Sequence, residues 1–167
     1  MLVNNAGIGA FGAFEATPLE LARDVFETNT FGVMAMTQAV LPGMRERGGG
    51  VVVNVTSSAT LAPMPLVSIY TASKTAIEGF TASLAFELAA VGVQAKLVEP
   101  GYGPTTRFTA NTGPRLDGLI PDAYAPFADR VMGGMVGATV VTTESDVAAA
   151  VYRAATDTSG QLRFAAR

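Results

Sequence analysis

The chain has 167 residues, 49% of them hydrophobic, with 11 basic and 14 acidic side chains and a net charge of -3. A mean hydropathy of +0.35 at this length suits one globular domain spanning residues 1–167 with a sizeable core, and the weakly acidic balance offers no basic stripe for nucleic acid. Cysteine and histidine are both absent, which excludes disulfides, thiolate chemistry and the commonest metal ligand and general base, so no metal site is expected and acid/base work falls to Tyr, Lys, Asp or Glu.

In chain order, residues 1–3 form a short apolar run that breaks at Asn4-Asn5-Ala6-Gly7, read as a buried strand entering a glycine-punctuated loop through Gly12. Neither a signal peptide nor a run of about 18 apolar residues is found, so no membrane partner is expected and the default location is cytoplasmic. Thr17-Pro18-Leu19-Glu20 supplies an N-cap threonine, a proline at the first helical position and a capping-box glutamate, predicting a helix to about Thr28. Asn29-Thr30 is read as a break, and a second apolar helix is expected from Phe31 to about Arg47, with Arg45 and Arg47 at the negative end of its dipole.

Residues 51–55 are a β-branched run, read as a buried strand of a parallel sheet leading into Thr56-Ser57-Ser58. A long alanine-rich helix follows from about Val67 to Ala90, with Ile77, Phe80, Leu84 and Leu88 on one face and Gly92 closing it. Residues 93–99 form another strand, ended by Pro100-Gly101. A loop rich in Gly, Pro and Thr over 102–121 precedes a weakly helical segment to about Val136, the two together forming the expected substrate region. A late helix over 143–155 and a short strand over 161–164 complete the chain. Strands alternating with helices predict an α/β fold, a doubly wound parallel sheet with helices on both faces.

Tyr70 and Lys74, four residues apart, share a helix face near its N-terminal end. An adjacent ammonium and the positive end of the helix dipole both favour a phenolate, which predicts a lowered phenol pKa and proton exchange with an alcohol or carbonyl oxygen. Chance supplies Y-x-x-x-K readily in helical sequence. Ser57, however, lies at the end of the preceding strand, on the sheet edge where ligands of such folds bind.

With these motifs the chain resembles the short-chain dehydrogenase/reductase family. "NNAG" (4–7), "TNTFG" (28–32), "VVVNVTSS" (51–58), "YTASK" (70–74) and "EPGYGPT" (99–105) occur in that family's order and approximate spacing, over essentially the whole chain. The resemblance implies a Rossmann-like fold and an NAD(P)-dependent oxidoreductase, using NAD or NADP, that moves a hydride between nicotinamide and a small carbonyl or alcohol substrate. It implies Tyr70 as catalytic acid/base, Lys74 as the residue that lowers its pKa and holds the nicotinamide ribose, Ser57 (or, less favoured, Ser58) as orienter of the substrate oxygen, and Asn29 as the residue that positions a relay water. By the same matching Asn4, Ala6 and Gly7 line the adenosine side of the cofactor, and Pro100, Gly101 and Thr105 contact its nicotinamide end.

The chain departs from the family in lacking its first three strands and glycine-rich cofactor loop. Gly7, Gly9 and Gly12 mimic G-x-G-x-x-G, but Gly7 already belongs to NNAG. The expectation is a truncated form of a longer enzyme; the alternative is a non-catalytic fragment that associates through an open sheet edge and its apolar helices. Those helices, 31–47 and 71–90, form oligomer interfaces in the family, so a homo-oligomer, dimer or tetramer, is expected. Met64, Leu66, Tyr102, Phe108, Tyr124 and Phe127 fall where they border an apolar pocket or pack beneath a loop.

Overall fold

A computed structural model gives the architecture and describes residues 1–106, 108, 118–136 and 139–166. Four strands form one parallel sheet in the order β1-β2-β3-β4: β1 Leu2–Asn4, β2 Gly50–Val55, β3 Val93–Pro100 and β4 Arg163–Ala166. Parallel neighbours need crossovers, and helices supply them. α1 (Leu19–Phe26) and α2 (Gly32–Glu46) lie between β1 and β2, α3 (Ser68–Ala89) between β2 and β3, and α4 (Ala125–Val136) and α5 (Glu144–Thr156) between β3 and β4.

The two-residue period of the strands sorts their side chains between two cores. Val52, Val93 and Ala95 pack with Met44 of α2 and with Leu84 and Leu88 of α3. Val53, Val55, Val98, Phe164 and Ala166 pack with Ala150 and Ala154 of α5 on the other face. Helices therefore cover both faces, as expected. Gly92 closes α3 with a φ of 74°, a conformation that costs a glycine nothing, and its missing side chain admits Gly48 O, 2.7 Å from where a Cβ would stand.

Three expectations are corrected. Thr17 does not cap α1: its hydroxyl donates to Ala13 O at 3.0 Å, Pro18 takes the cap position without a side-chain bond, and Glu20 pairs with Arg23. The interruption expected at Asn29-Thr30 is there, but as a widened turn through which α1 runs on into α2 and not as a break. Residues Glu27–Phe31 form a π-turn between α1 and α2, and the wider turn lets two adjacent side chains, Asn29 and Thr30, both face inward. The last strand lies two residues later than expected: Gln161 O is taken by Lys96 Nζ, and the ladder with β3 opens only at Leu162 O, which accepts from Leu97 N. The capping box that the structure does form is at α5, between Thr143 and Asp146. Much of the loop expected over 102–121 (107 and 109–117) lies outside the described residues.

Candidate active site at the carboxyl edge of the sheet

α3 approaches β2 with one stripe of side chains, Tyr70, Lys74 and Glu78, spaced four apart. Each meets a successive group at the end of β2. Lys74 Nζ donates to Val55 O at 2.9 Å, Thr56 Oγ1 donates to a Glu78 carboxylate oxygen, and Ser57 stands near enough to the Tyr70 hydroxyl to favour its ionised form. Ser57 caps the short turn Ser58–Thr60, its Oγ accepting from Ala59 N at 3.2 Å, which fixes the hydroxyl at the helix-facing side of the strand end. Ser57, not Ser58, is the serine whose hydroxyl acts on the Tyr70 phenol.

Burial sets the electrostatics. It pushes the Tyr70 phenol above its ordinary value, while the Ser57 hydroxyl pulls the other way. The expected lowering by Lys74 is not what the structure holds, because the ammonium is directed at Val55 O and desolvation dominates at the phenol. Lys74 is only 4% exposed, and burial lowers it to about 8.

Asn29 has no exposed surface, and both its polar atoms are engaged. Its Oδ1 accepts from Ile8 N at 2.9 Å, and its Nδ2 donates to Ile8 O at 2.9 Å and to Ser73 Oγ at 3.0 Å. Ser73 Oγ in turn donates to Tyr70 O at 2.8 Å, and Thr30 Oγ1 donates to Ser73 O at 3.0 Å. The π-turn thereby ties the loop after β1 to the first turns of α3. That loop brings Gly7 against Lys74: a Cβ there would stand 3.2 Å from Nζ and 3.3 Å from Asn29 Oδ1. With no side chain at Gly7, the loop backbone packs close to the ammonium and to Asn29.

The other site residues divide. Ala6 is exposed beside Gly7 at the same edge. Asn4 faces inward instead, its amide donating to Asn54 Oδ1 at 2.8 Å and to Thr37 Oγ1 at 3.2 Å, so its donors join β1, β2 and α2. Pro100 ends β3, and Gly101 N donates to Thr142 Oγ1 at 3.1 Å. Thr105 is exposed, with its hydroxyl on Glu144 at 3.1 Å. Of the six candidate pocket residues, Phe108 reaches the site, its ring 5.3 Å from that of Tyr70. Leu66 holds a positive φ of 62° and accepts from Gly12 N at 2.8 Å, while a Cβ on Gly12 would collide with Leu119. Gly12 thus serves chain packing and opens no helix, so the G-x-G-x-x-G spacing is fortuitous.

Glu78, Glu99 and Arg163 escaped the sequence reading. Arg163 Nη1 donates to both carboxylates, which are buried, and these bonds hold its guanidinium above the ordinary value against the opposing effect of burial. The one available signal was Glu78 standing four residues beyond Lys74. Among the described residues, no group of three or more acidic side chains could hold a metal ion, and no helix is long and apolar enough to cross a membrane.

An open parallel α/β sheet with a Tyr, Ser, Lys and Asn gathered at its carboxyl edge has the architecture of a ligand-binding α/β enzyme. The family model for short chain dehydrogenases matches residues 1–116, and the chain belongs to that family. It is 46% identical over 106 residues to an uncharacterised oxidoreductase of Bacillus subtilis, covering 64% of this chain and 38% of that protein. The crystal structure of a short-chain dehydrogenase from Streptomyces avermitilis superposes with a TM-score of 0.78 at 35% identity, over 98% of this chain and 58% of that one. A short-chain dehydrogenase/reductase from Burkholderia phymatum in complex with NAD gives a TM-score of 0.79 at 26% identity, over 99% of this chain and 60% of that one. The chain thus spans from under two fifths to about three fifths of the length of these proteins.

Proposed function

We propose that this chain carries the acid/base half of an NAD(P)-dependent oxidoreductase that interconverts a small carbonyl compound and its alcohol. The observation that carries this reading is Tyr70 beside Ser57 at the strand end, with the Lys74 ammonium buried on Val55 O one helical turn further along. Bound nicotinamide supplies or accepts the hydride. Ser57 holds the substrate oxygen beside the phenol, and Tyr70 gives that oxygen a proton during reduction or takes it during oxidation. A phenol kept neutral by burial is in the form that reduction needs. Lys74 and the loop backbone at Gly7 fit the ribose of the dinucleotide, with Ala6 beside them, and Pro100 and Gly101 border the nicotinamide end. Asn29 acts by holding Ile8, and with it the Gly7 backbone, in register with Lys74. Asn4 acts on the adenosine side through the backbone it anchors, and Thr105 reaches the nicotinamide end by leaving Glu144. NAD bound to the Burkholderia phymatum structure supports the cofactor class.

The test is titration of the 167-residue chain with NADH and NADPH, following cofactor fluorescence, beside Gly7→Leu, whose side chain crowds the Lys74 ammonium. Saturable binding by the wild type and its loss in the variant support the reading. A folded chain that binds neither cofactor overturns it for this chain.

A second reading, association through the sheet edge and helices, is favoured by β1 pairing, among the described residues, with β2 alone and by the exposure of Phe31, Met36 and Phe86. A homo-oligomer built on these faces predicts a sedimentation mass above that of the monomer. Phe86→Ser lowers that mass if the faces form the contact, and an unchanged monomer contradicts it.

A further inference from the structure

Beneath the site, four side chains from four segments form one cluster around a single cation. Glu78 comes from α3, Glu99 from β3, Arg163 from β4 and Thr56 from the end of β2. Glu78 and Glu99 are each only 7% exposed, and two carboxylates buried together repel each other and lose hydration. Arg163 bonds both, and among the described contacts no other basic side chain reaches either. Thr56 adds a hydroxyl donor to Glu78.

The cluster sits under the two backbone segments that flank the site. Thr56 immediately precedes Ser57, and Glu99 immediately precedes Pro100-Gly101. On the helix side Glu78 lies one turn beyond Lys74. We infer that Arg163 is a positioning residue: by neutralising Glu78 and Glu99 together, it sets the distance between the Ser57 strand end and the Pro100–Gly101 turn, the two walls between which the substrate oxygen and nicotinamide meet. This rests on the reductase reading for its consequence in turnover, whereas the positioning itself is measurable without it.

The cluster makes separable predictions. Arg163→Met leaves both carboxylates without their cation and loosens both walls. Thr56→Val keeps the shape of the side chain and the ion pairs but removes the hydroxyl's bonds to Glu78 and to Val98 O, so it loosens the wall that begins at Ser57. Arg163→Lys restores the charge without the fork and recovers part of the effect. The experiment is amide hydrogen exchange on the three variants and the wild type, with turnover measured alongside. In Arg163→Met, exchange at residues 56–60 and 101–103 rises about tenfold or more, in keeping with loss of charge-assisted hydrogen bonds, while α5 and the amino-end half of α3 keep their protection. In Thr56→Val the rise is confined to 56–60. In both, kcat falls more than KM rises, since the walls orient groups already bound.

Unchanged exchange at both walls in Arg163→Met overturns the proposal, and so does a uniform rise across the molecule, which marks general destabilisation. If Arg163→Met does not fold, Thr56→Val and Arg163→Lys decide: no local rise at 56–60 in the first, or no rise at either wall in the second, overturns it. A wild type without turnover contradicts the reductase reading alone, because exchange still decides the positioning.

Discussion

The two halves of α3 meet the same sheet face by different chemistry. Towards its C-terminus Leu84 and Leu88 pack on Val52, Val93 and Ala95, with nothing polar between them. Towards its N-terminus the contacts become hydrogen bonds: Thr81 accepts from Asn54 Nδ2 at 2.8 Å, Glu78 from Thr56, and Lys74 donates to Val55 O, with Tyr70 beside Ser57 beyond them. Apolar packing is non-directional and fixes the helix on the sheet with some freedom to slide. Buried hydrogen bonds are directional and costly to leave unmade, so they fix register. The C-terminal half is therefore held chiefly by burial of apolar surface, and the N-terminal half by bonds that keep a phenol and an ammonium in place.

That contrast is open to disruption at each level. Tyr70→Phe removes the acid/base and leaves the ring, so turnover is expected to fall by about 10²–10⁴-fold, with the thermal midpoint nearly unchanged. Steady-state rates beside a melting curve check both halves of that statement. Leu84→Ala does the reverse, costing about 2–5 kcal/mol in urea unfolding while the rate per folded molecule is retained. Thr81→Val stands at the boundary between the halves. It leaves Asn54 Nδ2 buried without its acceptor and is expected to cost about 1–3 kcal/mol, with a smaller loss of turnover than Tyr70→Phe.

Lys74 adds a dependence on pH. Its folded value of about 8 lies below the ordinary 10.5, so between these values the unfolded chain binds more protons and the folded state gains stability as pH rises. The gain is of the order of 3 kcal/mol across the full window, most of it read between about pH 8 and 10. Unfolding curves across that range should show it, and Lys74→Met should flatten it. A wild-type curve as flat as the variant's removes the argument that the ammonium is desolvated.

The same division explains what the sequence made legible. β2, β3 and α3 were readable because β-branched runs, alanine content and Gly92 each act locally. Tyr70, Lys74 and Ser57 were readable because helix spacing and a strand end place them on one edge. The π-turn was not, since widening a helix by one residue changes no composition, and Asn29-Thr30 looked like an interruption. Thr17 misled because its hydroxyl had a competing partner in Ala13 O. The Glu78–Arg163–Glu99 cluster joins residues up to 85 positions apart, and only the folded sheet brings them together.

The central claim is that the N-terminal half of α3 holds a desolvated ammonium beside a buried phenol, and it can be tested without substrate or cofactor. Lys74 and Lys96 are the chain's two lysines, so ¹³Cε labelling gives two signals that Lys74→Met assigns. The account predicts that the Lys74 signal titrates near 8. A Lys74 signal titrating at the ordinary value near 10.5 would contradict it.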